Sequence, residues 1–97
     1  MDKPQTSARW RIVFSGRVQH VGFRYTALYL AKRLYLSGFA DNLPDGRVVV
    51  EAQGSVAAIR KLLLELKSQK HIHIERMEIT ELSPDPAARY FEVRGYD

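Results

Sequence analysis

The chain has 97 residues, 45% of them hydrophobic and 27% charged, which is the balance of one globular domain and not of a disordered or fibrous protein. Its net charge of +4 favours phosphate-bearing partners. The sequence has no cysteine, which excludes disulfides and thiol chemistry, and no apolar run approaches the ~18 residues of a membrane span. We therefore expect a cytoplasmic monomer with a flexible tail over residues 1–8 and a single domain over residues 9–97.

The first predicted element is a strand over residues 9–15. Alternate side chains in it are apolar, as in a strand with one buried face: Trp10, Ile12 and Phe14. A loop over residues 16–22 follows. A helix comes next, because apolar side chains recur at helical spacing: Phe23, Ala27, Leu30, Ala31 and Leu34. Gly38 is the expected stop of this helix.

A β-hairpin is predicted over residues 39–53. Its strands, residues 39–43 and 48–53, flank a Pro-Asp-Gly turn, in which proline presets one backbone dihedral and glycine supplies a positive φ. Ser55 is the expected N-cap of a second helix. The apolar face of that helix has the spacing of a core-facing stripe: Ile59, Leu62, Leu63 and Leu66.

The last third of the chain predicts two further strands. The apolar parity slips between Ile74 and Met77, so the first of these strands is expected to begin near Glu75. A short final strand contains Phe91 and Val93. The complete order predicts a ferredoxin-like α+β fold, a split β-α-β sandwich with two helices on one face of a mostly antiparallel sheet.

The loop sequence GRVQHVGFR at residues 16–24 has features of an anion site. The N–H groups at a helix start have no partner within the helix, and the helix dipole favours a negative ligand there. Gly16 and Gly22 allow a tight turn and close approach of a ligand. Arg24 lies in the first turn, where a cation costs about 0.3–1 kcal/mol unless an anion offsets it. From these features alone, an anion site and a plain loop with a solvent-facing arginine are equally open.

Two motifs favour the anion site. The loop GRVQHVGFR and the later GFADNLPDG at residues 38–46 resemble the acylphosphatase family. That family carries Gly-Arg-Val-Gln-Gly-Val-x-Phe-Arg, followed by Gly-[Trp/Phe]-x-x-Asn and an Asp-Gly turn. Its terminal Phe-x-[Val/Ile] strand is matched by residues 91–93. The resemblance covers about residues 9–95 and implies the ferredoxin-like fold that the element order predicts independently.

The resemblance implies an acylphosphatase, which hydrolyses the carboxyl–phosphate bond of small-molecule acyl phosphates to a carboxylate and inorganic phosphate, without metal or cofactor. It implies that Arg24 and the loop amides bind the phosphoryl group and that Asn42 orients the attacking water. The substrate phosphate-binding loop that it implies consists of Arg17, Val18, Gln19, His20, Val21 and Gly22. The carboxylate leaves without protonation, so positioning and charge stabilisation suffice.

His20 departs from the family pattern, which usually has glycine at this position. If the backbone needs a positive φ there, a residue other than glycine costs about 1 kcal/mol, although histidine tolerates that region better than most. We expect its side chain to point outward, because an inward imidazole would crowd the phosphate or add a pH-dependent charge. His71 and His73 are expected to face solvent rather than to begin a metal site.

A different class of function stays open beside the enzyme: a noncatalytic anion- or RNA-binding ferredoxin-like domain that kept the loop and lost turnover through His20. The aromatic run of an RNA-recognition strand is absent from residues 47–53, and Trp10 and Phe14 are expected in the core. A module of larger proteins that use carbamoyl phosphate is disfavoured, since their zinc-binding cysteines are missing. We therefore expect neither nucleic acid nor membrane as a partner.

Overall fold

The computed structural model describes residues 7–95, which form a five-stranded sheet with two helices on one face. Residues 1–6 of the predicted tail lie outside this range, and Ala8 already pairs with Gly54. The elements are β1 Ala8–Arg17, α1 Phe23–Arg33, β2 Ser37–Asn42, β3 Val48–Gly54, α2 Val56–Lys67, β4 His73–Leu82 and β5 Phe91–Val93. Within residues 7–95, neither helix has the length and apolarity needed to cross a membrane.

The sheet order is β4-β1-β3-β2-β5. All neighbouring strands are antiparallel except β2 and β5, which run parallel. This topology confirms the predicted ferredoxin-like α+β fold, including the short final strand. Because β5 runs parallel to β2, the chain leaves β5 at the same end of the sheet at which β2 ends.

The core lies between the sheet and the helices. Ile12 and Phe14 of β1 are fully buried opposite Val50 and Val48 of β3, as the alternating pattern predicts. The ring of Phe14 also lies 4.8 Å from that of Phe23, the first residue of α1, with an interplanar angle of 59°. Such tilted aromatic pairs contribute about 0.5–1.5 kcal/mol beyond their buried area. This contact fixes the start of α1 on β1, which positions the loop between them.

The loop before α1 is shorter than predicted, because Gly16 and Arg17 belong to β1. Ser15 pairs with Arg76 and Gly16 with Ile74, which leaves the residue between them on β4 as the extra residue of a β-bulge. The slip in apolar parity marks this bulge. A strand start near Glu75 is therefore wrong by two residues, since the strand continues through the bulge to His73.

Close packing at the bulge requires glycine at position 16. Its φ is 125°, and a β-carbon there would overlap the carbonyl oxygen of His73 and lie 2.8 Å from the amide nitrogen of Glu75. At Gly22, where φ is 79°, a β-carbon would meet nothing within 4 Å. The two glycines are thus required for different reasons: close packing of the strands at Gly16 and a positive φ at Gly22.

The first helix ends at Arg33, and Gly38, its expected stop, lies in β2 instead. Tyr35 adopts the left-handed conformation, with φ 58°, that glycine usually takes at this point. The amide of Leu36 donates to the carbonyl oxygen of Ala31 at 2.9 Å, which closes the helix as a Schellman motif does. The predicted helix end at Gly38 was wrong because hydrogen bonds hold Tyr35 in the left-handed conformation, so no glycine is needed to end the helix.

The β2–β3 hairpin and the N-terminus of α2 are confirmed. The amide of Leu43 donates to the carbonyl oxygen of Arg47 at 2.8 Å, which closes the hairpin around the Pro-Asp-Gly turn. The Ser55 hydroxyl accepts a hydrogen bond from the amide of Ala58 at 3.1 Å, as an N-cap does. These local features set the end of β2, where the second motif ends.

Gly16→Ala is expected to lower the free energy of unfolding by about 2–4 kcal/mol, since the methyl group would push β1 away from β4. Gly22→Ala, the matched control, should cost only about 1 kcal/mol, because the added carbon meets open space and only backbone strain remains. Urea unfolding of both variants measures the difference. Equal losses would show that the bulge does not require glycine.

Candidate active site

A cavity of about 40 Å³ lies at the N-terminus of α1, beside the end of β2. The residues around it belong to the loop, the first helical turn and the hairpin: Val18, His20, Gly22, Phe23, Arg24, Tyr25 and Asn42. A single water needs about 10–15 Å³, so the cavity admits one small group at a time. The fold thus brings the two predicted catalytic residues, Arg24 and Asn42, to one cavity.

The N-terminus of α1 faces this cavity without a side-chain cap. Gly22 is the N-cap residue in a left-handed conformation, and no side chain within the described range accepts a hydrogen bond from its helix start. The first turn contains no acidic residue. The orphan amides and the positive end of the helix dipole therefore favour an anion at this point.

Arg24 is buried at this helix start, with only 6% of its surface exposed. Its Nη1 donates to the carbonyl oxygens of Arg94 at 2.6 Å and Gly95 at 3.1 Å. Those carbonyls follow β5, which places them beside the end of β2. These two carbonyl oxygens fix the direction of the guanidinium, and they offset part of the free-energy cost of burying its charge. No pattern in the sequence signals this pairing.

Asn42 is the last residue of β2 and pairs with Val48 across the hairpin. It is half-buried, so its amide side chain lies at the boundary between the sheet and the cavity. A neutral amide both donates and accepts hydrogen bonds, so it orients a water molecule without repelling a nearby anion. Because Asn42 is the last residue before the hairpin turn, it lies at the end of β2 that borders the cavity.

Gln19 joins the loop to the hairpin. Its Nε2 donates to the carbonyl oxygen of Leu43 at 2.8 Å and to that of Arg47 at 2.9 Å. These are the two residues that close the hairpin directly after Asn42. Gln19 therefore acts on the cavity by holding its two walls together, a role that its place in the loop motif did not indicate.

The other loop residues divide by where their side chains lie. Val18 is fully buried, so only its backbone is available to a ligand. Val21 packs against the core. Arg17 lies in β1, is exposed, and lines a second depression instead of the small cavity. The predicted loop set is thus a mixture of backbone, core and surface positions.

His20 has the positive φ, 63°, that the glycine of the family motif suggested. Its side chain is exposed, in line with the outward orientation expected for it, and it borders both the small cavity and the second depression. Replacing the glycine of the motif by histidine adds a side chain but leaves a backbone N–H at this position. Within residues 7–95, no three histidine or carboxylate side chains are grouped so as to hold a metal ion.

Asp45 holds the hairpin turn that follows Asn42. Its Oδ1 accepts from the backbone N–H of Arg47 at 3.1 Å and its Oδ2 from the Nε of Arg47 at 2.9 Å. The backbone hydrogen bond, with help from the guanidinium, lowers the pKa of the Asp45 carboxyl below its usual value. The support it gives is therefore present above the ordinary aspartate range and is lost as pH falls through the lowered pKa.

Comparisons with known proteins place this chain in a family. The family model described as Acylphosphatase matches residues 10–93. An acylphosphatase of Rubrobacter xylanophilus is 38% identical over 95 residues, which cover 97% of this chain and 86% of that protein. An acylphosphatase of a Synechococcus species is 39% identical over 91 residues, covering 93% and 90%. The crystal structure of acylphosphatase from Bacillus subtilis superposes with a TM-score of 0.84 at 29% identity, over 91% of this chain and 99% of that one.

Gln19→Met is expected to lower the free energy of unfolding by about 1–2 kcal/mol, because it removes both hydrogen bonds from the loop to the hairpin while keeping the side-chain length. Gln69→Met is the matched control. The Nε2 of Gln69 donates to the carbonyl oxygen of Glu65 at 3.1 Å, near the end of one helix, so its loss should cost less than about 0.5 kcal/mol. Urea unfolding checks the pair, and a Gln19 variant as stable as its control would contradict the bridging role.

Proposed function

The chain belongs to the acylphosphatase family, and on that basis we propose that it hydrolyses acyl phosphates at the cavity formed by Arg24, Asn42 and the N-terminus of α1. Family membership makes it a hydrolase of acyl phosphates and favours this activity over a noncatalytic anion- or RNA-binding role. The observation that carries the site assignment is the meeting of a buried cation, uncapped amides and a neutral amide side chain around one small cavity.

The phosphoryl group binds at the start of α1. The amides of the loop and of the first turn donate to its oxygens, and the Arg24 guanidinium supplies positive charge from a fixed direction. Because Arg94 and Gly95 hold that guanidinium by their carbonyl oxygens, it needs little reorganisation when charge develops in the transition state. Preorganised donors of this kind contribute about 3–4 kcal/mol each to catalysis.

Asn42 orients the attacking water on the far side of the phosphorus from the leaving group. The water oxygen forms the new P–O bond, the bond between phosphorus and the acyl oxygen breaks, and its electron pair leaves with the carboxylate. The water proton passes to an oxygen of the phosphoryl group itself, so no general base is required. A carboxylate is a stable leaving group, so no general acid is required either.

His20 is compatible with this mechanism. His20 adopts a positive φ, as the glycine of the motif can, and it keeps a backbone N–H that can donate to the phosphoryl group, while its side chain is exposed. The conformation costs about 1 kcal/mol of strain in stability. We therefore assign the loop residues 17–22 to phosphate binding mainly through their backbone, with Gln19 as the bridge that keeps loop and hairpin together.

We also propose that the protein works as a monomer in the cytoplasm, with residues 9–97 as its domain and without nucleic acid or membrane partners. A sequence without cysteine suits a reducing compartment. The family match over residues 10–93 supports a single domain.

Phosphate release from benzoyl phosphate in the presence of a chelator tests the proposal. The unaltered protein should turn over, and Arg24→Ala and Asn42→Ala should each lower kcat/KM by about a hundredfold or more, because charge stabilisation and water positioning are lost. Arg33→Ala, an exposed arginine at the other end of α1, is the control and should stay near the unaltered rate.

Because Arg24 is buried, circular dichroism must show that the Arg24→Ala variant is folded. The Asn42→Ala variant tests the mechanism without removing a buried charge. An Asn42→Ala variant as fast as the unaltered protein would overturn the water-positioning role. A protein that releases no phosphate but binds RNA in a salt-sensitive manner would favour the noncatalytic alternative.

A further inference from the structure

A second depression, of about 690 Å³, adjoins the small cavity. It is lined by residues of β1, the loop, the α2–β4 connection and β4: Arg17, His20, Val21, Lys70, His71, His73 and Glu75. His20 lines both of them. The volume lies within the range of small-molecule sites, whereas the phosphate cavity accommodates little more than the phosphoryl group.

The second depression is built by two features of the fold. The bulge on β4 places Arg17 and His73 opposite each other at the ends of their strands. Ile72 is buried, and this anchors the connection so that His71 and His73 on either side of it are both exposed. Side chains that are far apart in the sequence are thereby held around one concave surface.

The residues that line the second depression carry a net positive charge. Arg17 and Lys70 are permanent cations, and Glu75 is the one carboxylate among the lining residues. Among the ion pairs within residues 7–95, none engages Arg17, Lys70 or Glu75. Unneutralised cations around a concavity raise the local concentration of anions.

We propose that this depression is a subsite for a second anionic group, a carboxylate or phosphate, on the acyl portion of the substrate. The inference rests on the proposed function, because it takes the phosphoryl group to be bound at α1. An acyl portion that leaves the cavity past His20 enters a surface lined by Arg17, Lys70 and His71. The enzyme then prefers acyl phosphates with a second anionic group over uncharged ones of the same shape.

The preference weakens as salt is added, because dissolved ions screen the attraction between the cations Arg17 and Lys70 and the second anionic group of the substrate.

A pair of substrates with the same shape tests the subsite. 4-Carboxybenzoyl phosphate carries a second negative charge that cannot reach its own phosphoryl group, and 4-carbamoylbenzoyl phosphate is its neutral isostere. The ratio of their kcat/KM values is measured with the full chain at low salt, and the 3-substituted pair covers a second direction. The two substrates differ in intrinsic reactivity, but this difference is the same for every variant and therefore cancels when the ratios of variants are compared.

Lys70→Gln should lower the ratio by about two- to fivefold, the usual effect of one exposed charge, and Glu75→Gln should raise it by a similar factor. Lys61→Gln, an exposed lysine of α2 outside the depression, is the control and should leave the ratio unchanged. In the unaltered protein the ratio should fall as salt is added, because the attraction between exposed charges is screened.

Hydrolysis of both substrates with a ratio that neither Lys70→Gln nor Glu75→Gln changes would overturn the subsite and leave the proposed function intact. Hydrolysis of neither substrate would overturn both. If Lys70→Gln leaves the ratio unchanged but weakens binding of a single-stranded oligonucleotide, the depression serves nucleic acid and the subsite is likewise overturned.

Discussion

A buried guanidinium at the first turn of a helix is the constraint around which this site is organised. Arg24 faces the positive end of its own helix dipole, and its charge is largely removed from water, so both effects oppose it. The carbonyl oxygens of Arg94 and Gly95 offset part of that cost and fix the direction of the side chain. On the proposed function, a phosphoryl dianion bound at the same point would offset the rest of that cost.

The sheet brings the rest of the site to this arginine. Parallel pairing of β5 with β2 puts the carbonyl oxygens after β5 beside the strand end that carries Asn42. Gln19 then locks the loop to the two residues that close the hairpin. The positions of Arg24, Asn42 and the loop are therefore set by contacts between elements and not by the loop alone. This arrangement agrees with a reaction that asks for positioning and charge more than for proton transfer.

The second depression, which contains the cations Arg17 and Lys70, would attract an anionic group on the rest of the substrate, as Arg24 is proposed to attract the phosphoryl group. In the family motif the position of His20 is usually glycine, and here His20 borders both the small cavity and the second depression. The residue that departs from the motif therefore lies where we propose that the acyl portion of the substrate leaves the small cavity.

The sequence alone determined what local pattern governs: the strand and helix periods, the Pro-Asp-Gly turn, the Ser55 cap and the two motifs that place Arg24 and Asn42. It marked the bulge near Glu75 only as a slip in parity, and it misplaced the end of α1, because hydrogen bonds hold Tyr35 where glycine was expected. Only the tertiary structure decided the partners of Arg24 and Gln19, since those bonds join residues 70 and 24 positions apart. Contacts at such separations depend on strand order and register, which no local pattern of side chains encodes.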